Sequence, residues 1–103
     1  MTKLETEFTA ELLRVLAEAE AVTGIGEPRL RQQAEKLGGA KAVQQLLSRG
    51  QQTRQFEKLK EQKRLELTPE ALVSKGKYAQ LFTDEEANLC LQTLLDAGMY
   101  NLG

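Results

Sequence analysis

Apolar residues recur along the first part of the chain at the spacing of a helix. Leu4, Phe8, Leu12, Val15, Leu16, Ala19 and Val22 form one stripe, while Glu5, Glu7, Glu11, Glu18 and Glu20 fall off it. A period near 3.6 residues predicts a long amphipathic helix. Thr23-Gly24-Ile25-Gly26 ends it, since glycine leaves helical dihedrals at little cost.

A second, shorter helix is predicted from Pro28, a residue suited to a first helical turn, with Leu30, Ala34 and Leu37 as its apolar edge. Gly38-Gly39 supplies its stop. A third helix turns Ala40, Val43, Leu46 and Leu47 inward and closes at Gly50, and a fourth runs from Arg54 to about Lys63 behind Thr53 as N-cap, carrying Phe56 and Leu59. Leu65-Glu66-Leu67 alternates for too few residues to form a sheet and is expected to be an extended connector with both leucines in the core. Thr68-Pro69-Glu70 restarts a helix with a capping Thr, a Pro at the first position and an acid at the positive end of the dipole; Leu72 and Val73 are its apolar part.

Ser74-Lys75-Gly76-Lys77 breaks that helix, and Tyr78, Leu81 and Phe82 read as a short apolar turn. Thr83-Asp84-Glu85-Glu86 is a capping box for a last helix that reaches about Ala97 with Ala87, Cys90, Leu91, Leu94 and Leu95 inward, and Gly98-Met99 fits a Schellman stop. The pattern predicts one all-α domain over residues 1–103, a compact bundle of five or six short helices.

Composition supports a folded domain: 41% of residues are apolar and 28% charged. No apolar run approaches the roughly 20 residues of a membrane span, and the N-terminus lacks the basic and apolar regions of a signal peptide. With a lone Cys90 and no intrachain disulfide, a reducing cytoplasm is the expected setting.

From Leu37 to Tyr100 the chain resembles a family of small, uncharacterised bacterial proteins. The likeness rests on Gly38-Gly39, the Ala42–Leu47 helix, Phe56 and Leu59, Leu65-Glu66-Leu67-Thr68, Glu70-Ala71-Leu72-Val73, Leu81 to Glu86 and Ala97-Gly98-Met99-Tyr100. The chain departs from that pattern at Arg54-Gln55, and at Lys63, which stands where the family has Gly. The resemblance implies no activity.

Catalytic and metal chemistry find little here. His is absent, which removes the commonest general base and metal ligand. Cys90 lacks a base and sits on an apolar face, as a buried structural thiol does. Glu57 and Glu61 are expected to pair with neighbouring cations, Glu57 with Lys60 and Glu61 with Lys58 or Arg64, and Asp84, Glu85 and Glu86 serve a helix start. Gly24-Ile25-Gly26 and Gly38-Gly39 are too short for a phosphate loop. No enzyme, cofactor, metal or small-molecule substrate is expected.

Charge, by contrast, is segregated. Residues 1–28 carry two basic and six acidic residues, giving −4; residues 29–64 carry ten and three, giving +7; residues 65–103 carry two and six, giving −4. Eight of the ten glutamines lie in the basic middle. Four readings compete. A helix-turn-helix at Gln33-Ala34 and Leu37-Gly38 puts Gln44 where an apolar residue belongs, one place after Val43. A looser phosphate-contacting ridge would use Arg49, Arg54, Lys58 and Lys60 with Gln51, Gln52 and Gln55, against repulsion from the acidic flanks. The flanking helices could instead neutralise the centre, or the centre could dock an acidic protein surface. The expectation is a small cytoplasmic, non-enzymatic interaction or regulatory protein. Its partner face is Arg54, Lys58, Lys60, Lys63 and Arg64, with Gln51 and Gln55 assisting, and its alternative partner for the same face is nucleic acid.

Overall fold

A computed structural model describes residues 2–98. Those residues form six α-helices and two short 3-10 helices, with no strand among them.

The spine is α1 (Lys3–Thr23), opened by a capping box in which the Glu5 amide donates to Thr2 Oγ1 at 3.1 Å and the Glu5 carboxylate accepts from the Thr2 amide. Its stripe is buried as the spacing predicts: Phe8, Leu12, Val15, Leu16 and Ala19. Burying each large side chain contributes about 1.5–3 kcal/mol, so Leu12→Ala should cost about 2–5 kcal/mol once the cavity is counted.

Against this spine pack α2 (Pro28–Leu37) and α3 (Gly39–Ser48), which also pack on each other. Gly38 and Gly39 divide the work between them. Gly38 caps α2, its amide donating to Ala34 O at 3.0 Å with φ 92°, whereas Gly39 is already the first residue of α3. Leu30 and Ala34 are buried as expected, but Leu37, at the last position of α2, is 38% exposed. In α3 the buried set is Gly39, Ala40, Ala42 and Val43, with Leu46 and Leu47 half-buried.

The fourth helix is shorter than its pattern suggests: α4 is Phe56–Glu61 only. Thr53 does not cap it; its hydroxyl has no hydrogen-bond partner. The reason lies in the two residues between. The Arg54 amide donates instead to the Glu27 carboxylate (2.9 and 3.0 Å), and Gln55 turns its side chain inward. At the other end Lys63 takes a left-handed conformation (φ 59°), and the Arg64 amide reaches back to Leu59 O at 2.8 Å, the Schellman pattern with Lys in the glycine position.

Leu65–Leu67 is a 3-10 turn rather than an extended connector, with both leucines buried. Next, α5 (Pro69–Val73) is capped by Thr68 Oγ1, which accepts the Ala71 amide, and every residue of the helix is buried. Glu70 stands in the first turn as expected, at the positive end of the dipole, but it is only 2% exposed, and one of its oxygens has no partner.

A second 3-10 turn, Gly76–Leu81, brings Tyr78 to the centre of the core. The Phe8 ring meets Tyr78 and Phe82 edge-on at centroid distances of 5.0 and 5.2 Å. Tyr78 donates its hydroxyl to Glu11 Oε1 at 2.5 Å while Lys75 holds Glu11 Oε2 at 2.7 Å, tying this turn to α1. The last helix, α6 (Asp84–Asp96), has the expected capping box between Thr83 and Glu86. It packs mainly on α5, so its buried strip is narrow: Cys90 and Leu94 are inside, but Leu91 and Leu95 are 41% and 45% exposed and not core residues. Gly98 donates to Leu95 O with φ 90°, which is half of the predicted stop; the Met99 and Tyr100 positions lie outside the described residues.

Candidate functional site

The basic middle of the chain occupies α2, α3, the 49–55 connector, α4 and the turn after it. Of the residues assigned to a partner face from sequence, Gln51, Arg54, Lys58, Lys60, Lys63 and Arg64 are exposed. Gln55 is not. It is fully buried, its Nε2 donating to Ile25 O at 2.6 Å and Leu16 O at 3.4 Å, so it stitches the connector to α1 and cannot meet a partner. Apolar contact drives Phe56 and Leu59 inward, and Gln55 follows because its amide nitrogen satisfies the Ile25 carbonyl in the loop after α1.

Local carboxylates take up two of these cations. Arg64 Nε lies 2.6 Å from Glu66, and Lys58 lies 3.9 Å from Glu61, both exposed pairs of at most about 1 kcal/mol. The Glu57–Lys60 pair expected from spacing is not among the ion pairs of the described residues, nor is Glu61–Arg64. The charged side-chain nitrogens of Arg29, Lys36, Arg49, Arg54, Lys60 and Lys63 have no carboxylate oxygen within 4.0 Å among the described residues, although the Arg54 amide holds Glu27. The acids of α1 are engaged elsewhere: Glu7 with Lys77, Glu11 with Lys75 and Glu18 with Arg14. Among the described residues a single ion pair, Arg31–Glu20 at the 4.0 Å limit, joins the acidic first helix to the basic segment.

The helices also build a groove that the sequence pattern does not announce. Ten-residue α2 and ten-residue α3 meet at Gly38, and the chain folds back there, placing the first turn of α2 beside the last turn of α3. Between them and the connector lies a cavity of about 420 Å³, walled by Pro28, Arg29, Leu30 and Gln33 of α2, Leu46 of α3, and Arg49 with residues 51–54 beyond it. A second hollow of about 510 Å³ shares Arg29, Gln33 and Arg49 and runs on to Gln32 and Lys36. Glu27 closes one end. It is buried, and burial pushes its carboxyl above the ordinary value, partly countered by the Arg54 amide that both of its oxygens accept.

Arg29, Arg49, Gln33 and Gln52 were thus missed as a group. Arg49 and Gln52 belong to the ridge that the sequence suggests, but Arg29 and Gln33 lie roughly twenty positions earlier and join them only through the fold-back at Gly38; the available signal was two short helices divided by Gly38-Gly39.

Val43 is fully buried, and Gln44 is half-buried with its amide near Leu81 O and Glu86 Oε1. Cys90 is buried, and its thiol is pushed up to about 12 by burial, with Glu70 and Glu86 adding to the shift, so it stays protonated at neutral pH. Among the described residues no group of three or more His, Cys, Asp or Glu is placed to hold a metal ion, and no helix is long and apolar enough to cross a membrane. Comparison of the chain with known protein families, with curated proteins and with solved structures gives no match in any of the three. No residue role therefore reaches this site from another protein.

Proposed function

We propose that this chain is a small, non-enzymatic interaction module of the cytoplasm that docks an acidic protein surface through its basic, Gln-rich centre. The observation that supports it is the set of exposed cationic side chains without an ion pair among the described residues: Arg54, Lys60 and Lys63 on and around α4, and Arg29 and Arg49, which share a cavity with Arg54. Unneutralised surface cations attract an anionic partner and set its encounter rate and register more than its affinity. The lone, buried thiol of Cys90 suits a reducing compartment.

Fluorescence anisotropy with labelled poly-glutamate and labelled random duplex DNA, over a salt series, tests this reading. Poly-glutamate should bind the wild type and lose affinity in a Lys58→Glu, Lys60→Glu variant. Preferential DNA binding with a steep salt slope, lost in the same variant, would put the nucleic-acid reading in its place. Binding to neither probe at low salt would remove both.

A further inference from the structure

We propose that the groove between α2 and the 49–54 connector is a peptide-recognition cleft, taking an extended acidic segment in which an apolar residue stands next to a carboxylate. This rests on the docking reading above and names what the partner presents.

Three observations point to that occupant. First, Arg29, Arg49 and Arg54 all line the cavity, and their guanidinium groups form no ion pair among the described residues. The one carboxylate in the lining, Glu27, is buried and held by the Arg54 amide, so the arginines outnumber it three to one. A guanidinium matches a carboxylate in planar, two-pronged geometry, which a ridge of lysines does not. Second, Gln33, Gln51 and Gln52 line the same cavity as the arginines. Primary amides donate and accept at once, as an extended backbone requires of whatever flanks it. Third, Pro28, Leu30 and Leu46 give the same cavity an apolar wall, and Leu46 is only half-buried by the fold itself. A ligand of charge alone leaves that wall wet.

Within this wall Thr53 is more than nine-tenths buried, and its hydroxyl has no hydrogen-bond partner. Its oxygen is closed off from solvent, so Thr53 belongs to the packing of the wall and offers no hydrogen bond to an occupant. The adjoining hollow extends the cleft toward Lys36, giving an elongated track rather than a single socket. Nucleic acid fits less well, because no aromatic ring lines either hollow to stack a base.

The test is anisotropy of the full chain with two labelled peptides, one alternating Glu and Leu and one of Glu alone, with labelled duplex DNA as a third probe. The alternating peptide should bind about tenfold or more tightly than the Glu-only peptide. An Arg29→Glu, Arg49→Glu variant should lose that binding, while the Lys58→Glu, Lys60→Glu variant weakens it only modestly. Arg29 and Arg49 are exposed, so an unchanged melting curve confirms that the double variant folds. Acidic-peptide binding that survives Arg29→Glu, Arg49→Glu but falls in Lys58→Glu, Lys60→Glu overturns the cleft and leaves the docking reading standing. Equal affinity for the two peptides overturns the apolar requirement and with it the proposal. Tighter binding to DNA, or no peptide binding at low salt, overturns both.

Discussion

The Thr9 hydroxyl of α1 caps α3 from outside: it accepts the Gly39 amide at 2.8 Å while donating to Glu5 O at 2.9 Å. No side chain of its own caps α3, because the preceding residue is Gly38, so one of the free amides of its first turn is satisfied across the helix–helix contact. The closeness needed for that bond is what requires glycine. A Cβ on Gly39 would lie 2.9 Å from Thr9 Cα and 3.1 Å from the Phe8 ring, and Thr9 Cα is backbone that cannot swing away.

Gly39→Ala should therefore destabilise the fold by about 1–3 kcal/mol despite the better helix propensity of Ala. In a domain of this size each kcal/mol lowers Tm by roughly 4–8 °C. Gly76→Ala is the matched control, since its Cβ would meet nothing within 4 Å, and it should stay within about 0.5 kcal/mol of wild type. Thr9→Val should cost about 1–2 kcal/mol and Thr9→Ser much less. Equal melting curves for the two alanine variants would refute the close approach.

Lys63 occupies the left-handed position that ends α4, with φ 59°. A side chain there costs roughly 1–2 kcal/mol relative to glycine, partly offset by the greater freedom glycine has when unfolded. Lys63→Gly should then raise stability by about 0.5–1 kcal/mol in urea unfolding. A loss of stability would show that the Lys63 stem contributes packing.

Residues whose neighbours along the helix decide their environment were legible in the sequence. The stripe of α1, the Thr83–Glu86 capping box and Pro28 at a helix start rest on periods and caps within a few residues, and all three are found in the structure. What the pattern missed depends on other elements. Glu70 and Gln55 look like surface residues by type, yet each is buried, Glu70 inside a helix enclosed on all sides and Gln55 by carbonyls roughly thirty to forty positions away in the chain. Leu91 and Leu95 look like core residues by type but stay outside, because α6 has few neighbours to cover them. The exposed cations of α4 were foreseeable, while the arginine groove needed the fold-back at Gly38.

Because Gln55 is internal, Gln55→Ala should act on stability and leave binding alone. It removes the donor to Ile25 O and opens a small cavity, together worth about 2–4 kcal/mol. Affinity for the acidic peptide, corrected for the unfolded fraction, should match wild type. A specific loss of affinity in the folded variant would return Gln55 to the partner face.

Glu70 gives the fold a pH dependence of definite sign. Burial pushes its carboxyl up to about 7 from an ordinary 4.5, only partly countered by a backbone hydrogen bond from its own amide. Between those two values the folded chain holds a proton that the unfolded chain has released, so this group's contribution falls as pH rises through the window and is level above it. The span corresponds to about 3 kcal/mol at most for a group this enclosed. Glu70→Gln, neutral at every pH, removes that slope. Urea unfolding of both proteins from pH 4 to 8 should give a stability difference that grows in favour of the variant across the window and then levels off. Glu11 and Glu66, whose carboxyls are held below the ordinary value, act in the opposite direction but equally in both proteins, and so cancel in the difference. A difference that stays constant with pH would show that Glu70 does not carry the retained proton.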